Sequence, residues 1–182
     1  MRAARPGSFR AARAPDRPEV CVMARRLRPV ELDFVDSAPV RLVYAARVSA
    51  APDAVYRALA EKVSQTPAWF SSVVAARPVD GGAGREVRLR GGVFFRETIM
   101  ATVPGERYAY RIDETNTPGV AAMLEDWRLS PDGSGTRVRW TMAVDGPALF
   151  RLTMRTARPG IGQSFRGAMR GLDRLLADTT AT

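Results

Sequence analysis

Between Gly162 and Ala177 the apolar residues Phe165, Ala168, Met169, Leu172, Leu175 and Leu176 recur at the spacing of one helix face. The opposite side carries Arg166, Arg170, Asp173 and Arg174, and Arg158-Pro159-Gly160 reads as the turn that sets where the helix begins. A stripe of this kind has to be covered by another layer. Almost everything before it reads as short strands. The expected fold is therefore α+β: a curved antiparallel sheet packed on one long C-terminal helix, with a gap between the two.

Val40 to Ala50 reads as the first strand, with Val40, Leu42, Tyr44, Ala46 and Val48 on one side. Two small helices follow it. Pro52 and Asp53 suit the start of the first, where a fixed φ and a negative charge are both favoured, and Thr66-Pro67 opens the second, through Trp69-Phe70. Strands then alternate with turn residues. Val73 to Val79 ends at a glycine cluster, Glu86 to Arg90 at Gly91-Gly92, and Val93 to Val103 turns at Pro104-Gly105 into Tyr108 to Asp113. Met123 to Leu129 turns through Ser130 to Gly135 into Thr136 to Val144. About six or seven strands in all, joined by hairpin turns, make an antiparallel meander. Ala148 to Ala157 reads as an amphipathic or lid-like segment. Residues 1–28 form an Arg-rich tail, 29–39 a lead-in, 40–178 one domain and 179–182 a short second tail.

The formal charge of +9 resembles a nucleic-acid signal until it is divided. Residues 1–28 hold eight arginines against Asp16 and Glu19, whereas the remainder has 20 basic and 17 acidic residues. The charge belongs largely to the tail, and no specific nucleic-acid groove is implied. The tail has three readings: a targeting segment, a polyanion binder, or a segment that is disordered or outside the natural protein, with Met23 as the alternative start. No apolar run approaches a membrane span, and the tail lacks the apolar centre of a secretory signal, so a cytoplasmic protein is expected. Cys21 is the only cysteine and histidine is absent. That excludes an internal disulfide, Ser-His-Asp triads, His-assisted cysteine nucleophiles and the usual zinc sites. The single lysine, Lys62, lies in a polar segment. Neither a metal nor a tightly held cofactor is expected.

The order of elements is that of the helix-grip layout, and particular residues carry a resemblance. Arg47 to Leu59, reading Arg-Val-Ser-Ala-Ala-Pro-Asp-Ala-Val-Tyr-Arg-Ala-Leu, is similar to the opening strand-helix signature of the START-like, or SRPBCC, superfamily. Ala68-Trp69 resembles its tryptophan after the second small helix, Thr98 to Tyr110 its middle hairpin and Pro131 to Val138 its late one. The likeness is nearest to the polyketide cyclase/dehydrase branch, whose members are largely bacterial. It implies a deep apolar cavity between sheet and helix for a lipid-, polyketide- or quinone-like molecule. It brings over no catalytic motif, because fold-level likeness does not carry chemistry.

Strand faces indicate which residues meet such a cavity. Pairing residues whose numbers sum to 265 sets Trp127 against Val138, Glu125 against Trp140 and Met123 against Met142; the other face then pairs Asp126 with Arg139 and Arg128 with Arg137. For the earlier hairpin a sum of 211 sets Val103 against Tyr108, Ala101 against Tyr110 and Ile99 against Ile112, turning Phe95 and Glu97 inward; the alternative sum of 210 uses Met100, Thr98 and Arg96, a more polar face, and the first is preferred. The ligand-binding candidates on the sheet are thus Phe95, Tyr108, Tyr110, Met123, Trp127, Trp140 and Met142. Trp69 and the helix residues Phe165, Met169 and Leu172 complete the set. Glu125 and Glu97 are the candidate carboxylates, with no basic residue on the same strand faces. Either they orient a ligand hydroxyl or carbonyl, or they snorkel to a cavity mouth or pair with Arg111, Arg166 or Arg170. The expected function is binding of a small hydrophobic molecule by a monomer or weak homodimer. The alternatives are a cyclase or dehydratase using a buried carboxylate as general acid or base, and a non-catalytic interaction protein with a basic tail.

Overall fold

The computed structural model describes residues 23–180. The three readings of the tail fall on residues 1–22, outside the described ones. In chain order the elements are β1 (Arg25–Arg26), α1 (Phe34–Ser37), β2 (Val40–Val48), α2 (Pro52–Tyr56), a π turn at Arg57–Glu61, and α3 (Thr66–Trp69). There follow β3 (Val73–Val79), β4 (Gly84–Leu89), β5 (Phe94–Val103), β6 (Arg107–Thr115), β7 (Ala122–Asp132), β8 (Gly135–Asp145), α4 (Ala148–Thr156) and α5 (Arg158–Thr180). The strands form one antiparallel sheet in the order β2-β8-β7-β6-β5-β4-β3, and β1 adds to β6 beyond the end of its pairing with β7.

The sheet curls around α5, as the meander and the helix stripe imply. Phe165, Ala168, Met169 and Leu172 are all buried against it. The helix begins earlier than the Arg158-Pro159-Gly160 turn suggested, because proline is tolerated in a first turn, where its missing N–H has no partner to lose. It also runs to Thr180, so the short C-terminal tail starts later than residue 179. The segment read as lid-like is the regular helix α4. Gly171 marks the closest approach to α5: a Cβ there would collide with the Trp69 carbonyl of α3.

Both registers differ from those expected. In β7–β8 the paired numbers sum to 267, setting Trp127 against Trp140, Glu125 against Met142 and Met123 against Val144. The cause is the turn. Asp132 pairs with Gly135, and Gly133 takes φ 61° at the first central position, as a two-residue type II′ hairpin requires. The inward face is unchanged, because the slip is an even number of residues. On the outer face Asp126 binds Arg107 at 2.6 Å and Arg128 at 2.8 Å, not Arg139. In β5–β6 the three-residue turn pairs Val103 with Arg107, and bulges beside Met100 and Asp113 shift the ladder. Beyond the first bulge Ile99 faces Tyr110 and Glu97 faces Ile112, so Phe95 and Glu97 do turn inward.

The tail does not extend to Arg28. Arg25 and Arg26 pair with Thr115 and Glu114, Leu27 is buried, and its N–H donates to the Asp113 carbonyl at 2.8 Å. The lead-in continues onto the convex face, where Val30, Phe34 and Val35 cover Ala122, Leu124 and Ala143. A chain beginning at Pro29 should therefore be less stable than one beginning at Ala24, by about 2 kcal/mol for Leu27 alone; equal urea midpoints would show that β1 contributes nothing. Gly171→Ala offers a second check. Alanine gains about 1 kcal/mol of helix propensity over glycine, but displacing the α3 backbone costs roughly 1–3 kcal/mol. The variant's urea midpoint should fall, and a rise would show that α3 does not press on α5.

Candidate functional site

A cavity of about 140 Å³ lies under α3, walled by β3 to β8. The sheet residues expected to line it are there. Trp127, Trp140, Met123 and Met142 form one wall, and Tyr108, Tyr110 and Phe95 another, with Trp69 above. Phe165, Met169 and Leu172 are not in the wall, contrary to expectation. The aromatic layer intervenes: Trp127 stacks on Trp140 at 5.2 Å and Trp140 on Phe165 at 5.8 Å. Tyr44 joins that layer at 5.9 Å from Phe165, so the middle of the grip is filled and the space is left to one side. A cavity of this size matches an engineered apolar cavity of about 150 Å³ that takes up benzene. It suits a single ring.

Across this wall runs a chain of polar groups. The Trp127 indole donates to the Tyr110 hydroxyl at 3.0 Å, and that hydroxyl donates to Glu125 Oε2 at 2.5 Å. Trp140 donates to the same oxygen at 2.9 Å. No hydrogen bond to Oε1 of Glu125 is made among the described residues, and Glu125 is a lining residue of the cavity. Glu97 is bound by Arg85, whose Nε donates to Glu97 Oε2 directly across β4 and β5. The Arg85 guanidinium lies 3.8 Å from the centre of the Tyr110 ring. The expectation of carboxylates without a basic neighbour is thus corrected. None of the arginines proposed to pair with them does so: Arg111 binds Asp113 at 2.8 Å, and Arg166 and Arg170 are exposed on α5. Arg85 escaped notice because β4 was read as starting at Glu86. One residue earlier, the alternation Arg85-Val87-Leu89 places the arginine inward with two cavity residues.

Burial sets the electrostatics. Glu125 is pushed up from 4.5 to about 7, first by loss of water and then by the negative Glu97; the Tyr110 and Trp140 donors and Arg85 only partly offset this. Burial also raises Glu97, while Arg85 draws it back. Near neutral pH, Glu125 is divided between a form that can donate a hydrogen bond to a carbonyl and a form that can accept one from a hydroxyl. The one fully enclosed side-chain polar atom without a partner among the described residues is the Trp69 indole N–H, which also lies at the cavity.

The raised value has a consequence for stability. The folded protein holds a proton on Glu125 that the unfolded chain releases above about pH 4.5, so this group's contribution is complete below 4.5 and lost by about pH 7. Its total is roughly 3 kcal/mol. Glu125→Gln keeps an oxygen for both donors and cannot ionise. It should match the wild type in urea stability near pH 4 and exceed it by roughly 3 kcal/mol at pH 8. A gap that does not widen with pH would show that Glu125 titrates normally.

Residues 39–177 match the family model described as polyketide cyclase/dehydrase and lipid transport. A Mycobacterium tuberculosis protein, itself described only as uncharacterised, is 30% identical over 152 residues, 80% of this chain and 89% of its own. Among solved structures, the protein XoxI of Bacillus cereus superposes with a TM-score of 0.64 at 16% identity, covering 78% of this chain and 98% of the other. A START superfamily protein of Mycobacterium smegmatis does so with a TM-score of 0.60 at 8% identity, covering 76% and 98%. At such identities the structures speak for the fold alone. Among the described residues, no helix is long and apolar enough to cross a membrane. The family match over most of the chain makes the protein a member of the polyketide cyclase/dehydrase and lipid transport family.

Proposed function

We propose that the protein binds a small ring molecule in the cavity beside Trp127 and Trp140, holding one ligand oxygen with Glu125. The observation that carries this reading is Glu125 itself. An ionisable group kept in an apolar chamber is costly unless partnered. Here two donors bind one carboxylate oxygen of a cavity-lining residue, and the other oxygen receives no hydrogen bond among the described residues. Aromatic faces and methionines supply the apolar contact, and methionine tolerates ligands of differing outline.

A second reading, acid–base catalysis of the cyclase or dehydratase kind, is favoured by the pKa of about 7, near the optimum for a proton shuttle at neutral pH. Both readings use the same residue. They part on turnover: a carrier releases its ligand unchanged, whereas an enzyme would show a rate that titrates with a midpoint near 7 and vanishes in Glu125→Gln.

Calorimetric titration with 4-ethylphenol at pH 8 tests the binding reading. The ionised carboxylate accepts the phenol hydrogen, and a hydrogen bond to a charged group supports about a tenfold difference in affinity. Glu125→Gln should bind about tenfold more weakly while its urea midpoint holds or rises. Equal affinities in the two proteins would remove Glu125 from the site.

A further inference from the structure

Helix α4 is apolar on two faces, and only one of them is covered. Phe150 and Met154 pack against the core. A Cβ on Gly146 would lie 2.5 Å from the Phe150 ring and one on Gly119 3.0 Å from it, so the seat of Phe150 is close-fitting and fixes the rotation of the helix. On the other face Leu149 is 76% and Leu152 56% exposed; after Met23 they are the most exposed large apolar side chains among the described residues. Exposed Pro147 and Ala148 extend this apex at the start of the helix. Single apolar residues on a surface are ordinary. These two stand one turn apart on a short helix that cannot roll to hide them.

Charge lines one flank. Arg151, Arg155 and Arg158 follow one another at spacings of four and three residues, which sets like charges side by side along the helix at some cost in stability. None of the three forms an ion pair among the described residues; Arg155 donates to the Pro39 carbonyl at 3.3 Å. Arg155 and Arg158 also border an open cleft of about 390 Å³ beside the edge strand β2, whose third cation, Arg41, is held by Asp36 at 2.8 Å. A leucine apex flanked by arginines is complementary to the interface of a bilayer that carries anionic lipids. The leucines enter the acyl boundary while the guanidiniums stay among the phosphates. A second copy of the chain fits the face poorly. A two-fold contact would set the same arginines against each other, over an apolar area of two leucines that falls well short of what a stable dimer buries.

We propose that α4 is a membrane-surface docking element that holds the protein on anionic phospholipid, with Leu149 and Leu152 inserted and Arg151, Arg155 and Arg158 paired with lipid phosphates. The helix contributes no residue to the wall of the main cavity, so docking leaves that site free and does not depend on what it binds. Co-sedimentation of the full chain with sucrose-loaded vesicles near physiological salt tests this, comparing phosphatidylcholine alone with a mixture containing phosphatidylglycerol. The mixed vesicles should bind the protein and the neutral ones should bind it far less. Leu149→Ser/Leu152→Ser keeps every charge, including the arginines of residues 1–22, and should weaken binding at least about tenfold. Arg151→Gln/Arg155→Gln keeps the leucines and should weaken it about fivefold for each arginine removed. Arg137→Gln/Arg139→Gln removes the same charge from exposed positions on the convex face of the sheet and should change affinity by less than about twofold. Wild-type affinity in the serine variant would assign the attraction to charge alone and overturn the proposal. Equal losses from the α4 and convex-face arginine pairs, or no binding to the mixed vesicles, would overturn it too. A wild type that dimerises through these leucines, shown by a monomeric serine variant and no vesicle binding, would give the face to a second copy instead. The serine and α4 arginine variants each decide alone, so poor folding of one leaves the test standing.

Discussion

The stack of Phe165 on Trp140, and of Trp140 on Trp127, joins the long helix to the sheet, and most other features follow from it. Three large rings in face contact fill the centre of the grip at near-crystalline density, which leaves no room for a ligand between α5 and the middle strands. The space that remains lies under α3, toward β3, β4 and β5. Its size is set by how far the sheet curls, and the curl is helped by the bulges in the β5–β6 ladder. A change in the helix stripe would act on the site indirectly, through the aromatic layer.

The second organising fact is how four ionisable groups are kept in that wall. Arg85 neutralises Glu97, its guanidinium covers Tyr110, and Tyr110 and Trp140 share one oxygen of Glu125. Each group except Glu125 has its charge balanced. The imbalance is what raises Glu125, and it is concentrated where the cavity is open. Removing one member would leave another stranded, so the chain behaves as a unit and single substitutions will not add.

Much of this was legible in the sequence because it depends on period. The α5 stripe, the alternating faces of β7 and β8, and the glycine-bearing hairpins specify a sheet, a helix and a shared apolar surface. Glu125 stood out because it interrupts an apolar face. What was not legible depends on single residues at boundaries. The register of β7–β8 hung on which two residues occupy the turn, and only the positive φ of Gly133 decides it. Arg85 was hidden by one residue of strand length. The lead-in helix α1, four residues long, has too few apolar positions for a period to appear, yet Phe34 and Val35 cover the convex face. Bulges, which depend on the partner strand as much as on the bulged one, leave no local mark at all.

The indole pair carries an optical consequence. Trp127 and Trp140 lie 5.2 Å apart and inclined by only 18°, close enough for their excited states to couple. Both donate into the same polar chain, through Tyr110 and Glu125. Coupled transitions give a circular-dichroism band whose sign and size depend on the mutual angle of the rings, and the hydrogen bonds tie that angle to the protonation of one carboxyl group. The protein therefore contains a built-in chromophore that reports on its own cavity. A guest that wedges beside the rings, or a proton that leaves Glu125, is written into the near-ultraviolet spectrum without any label.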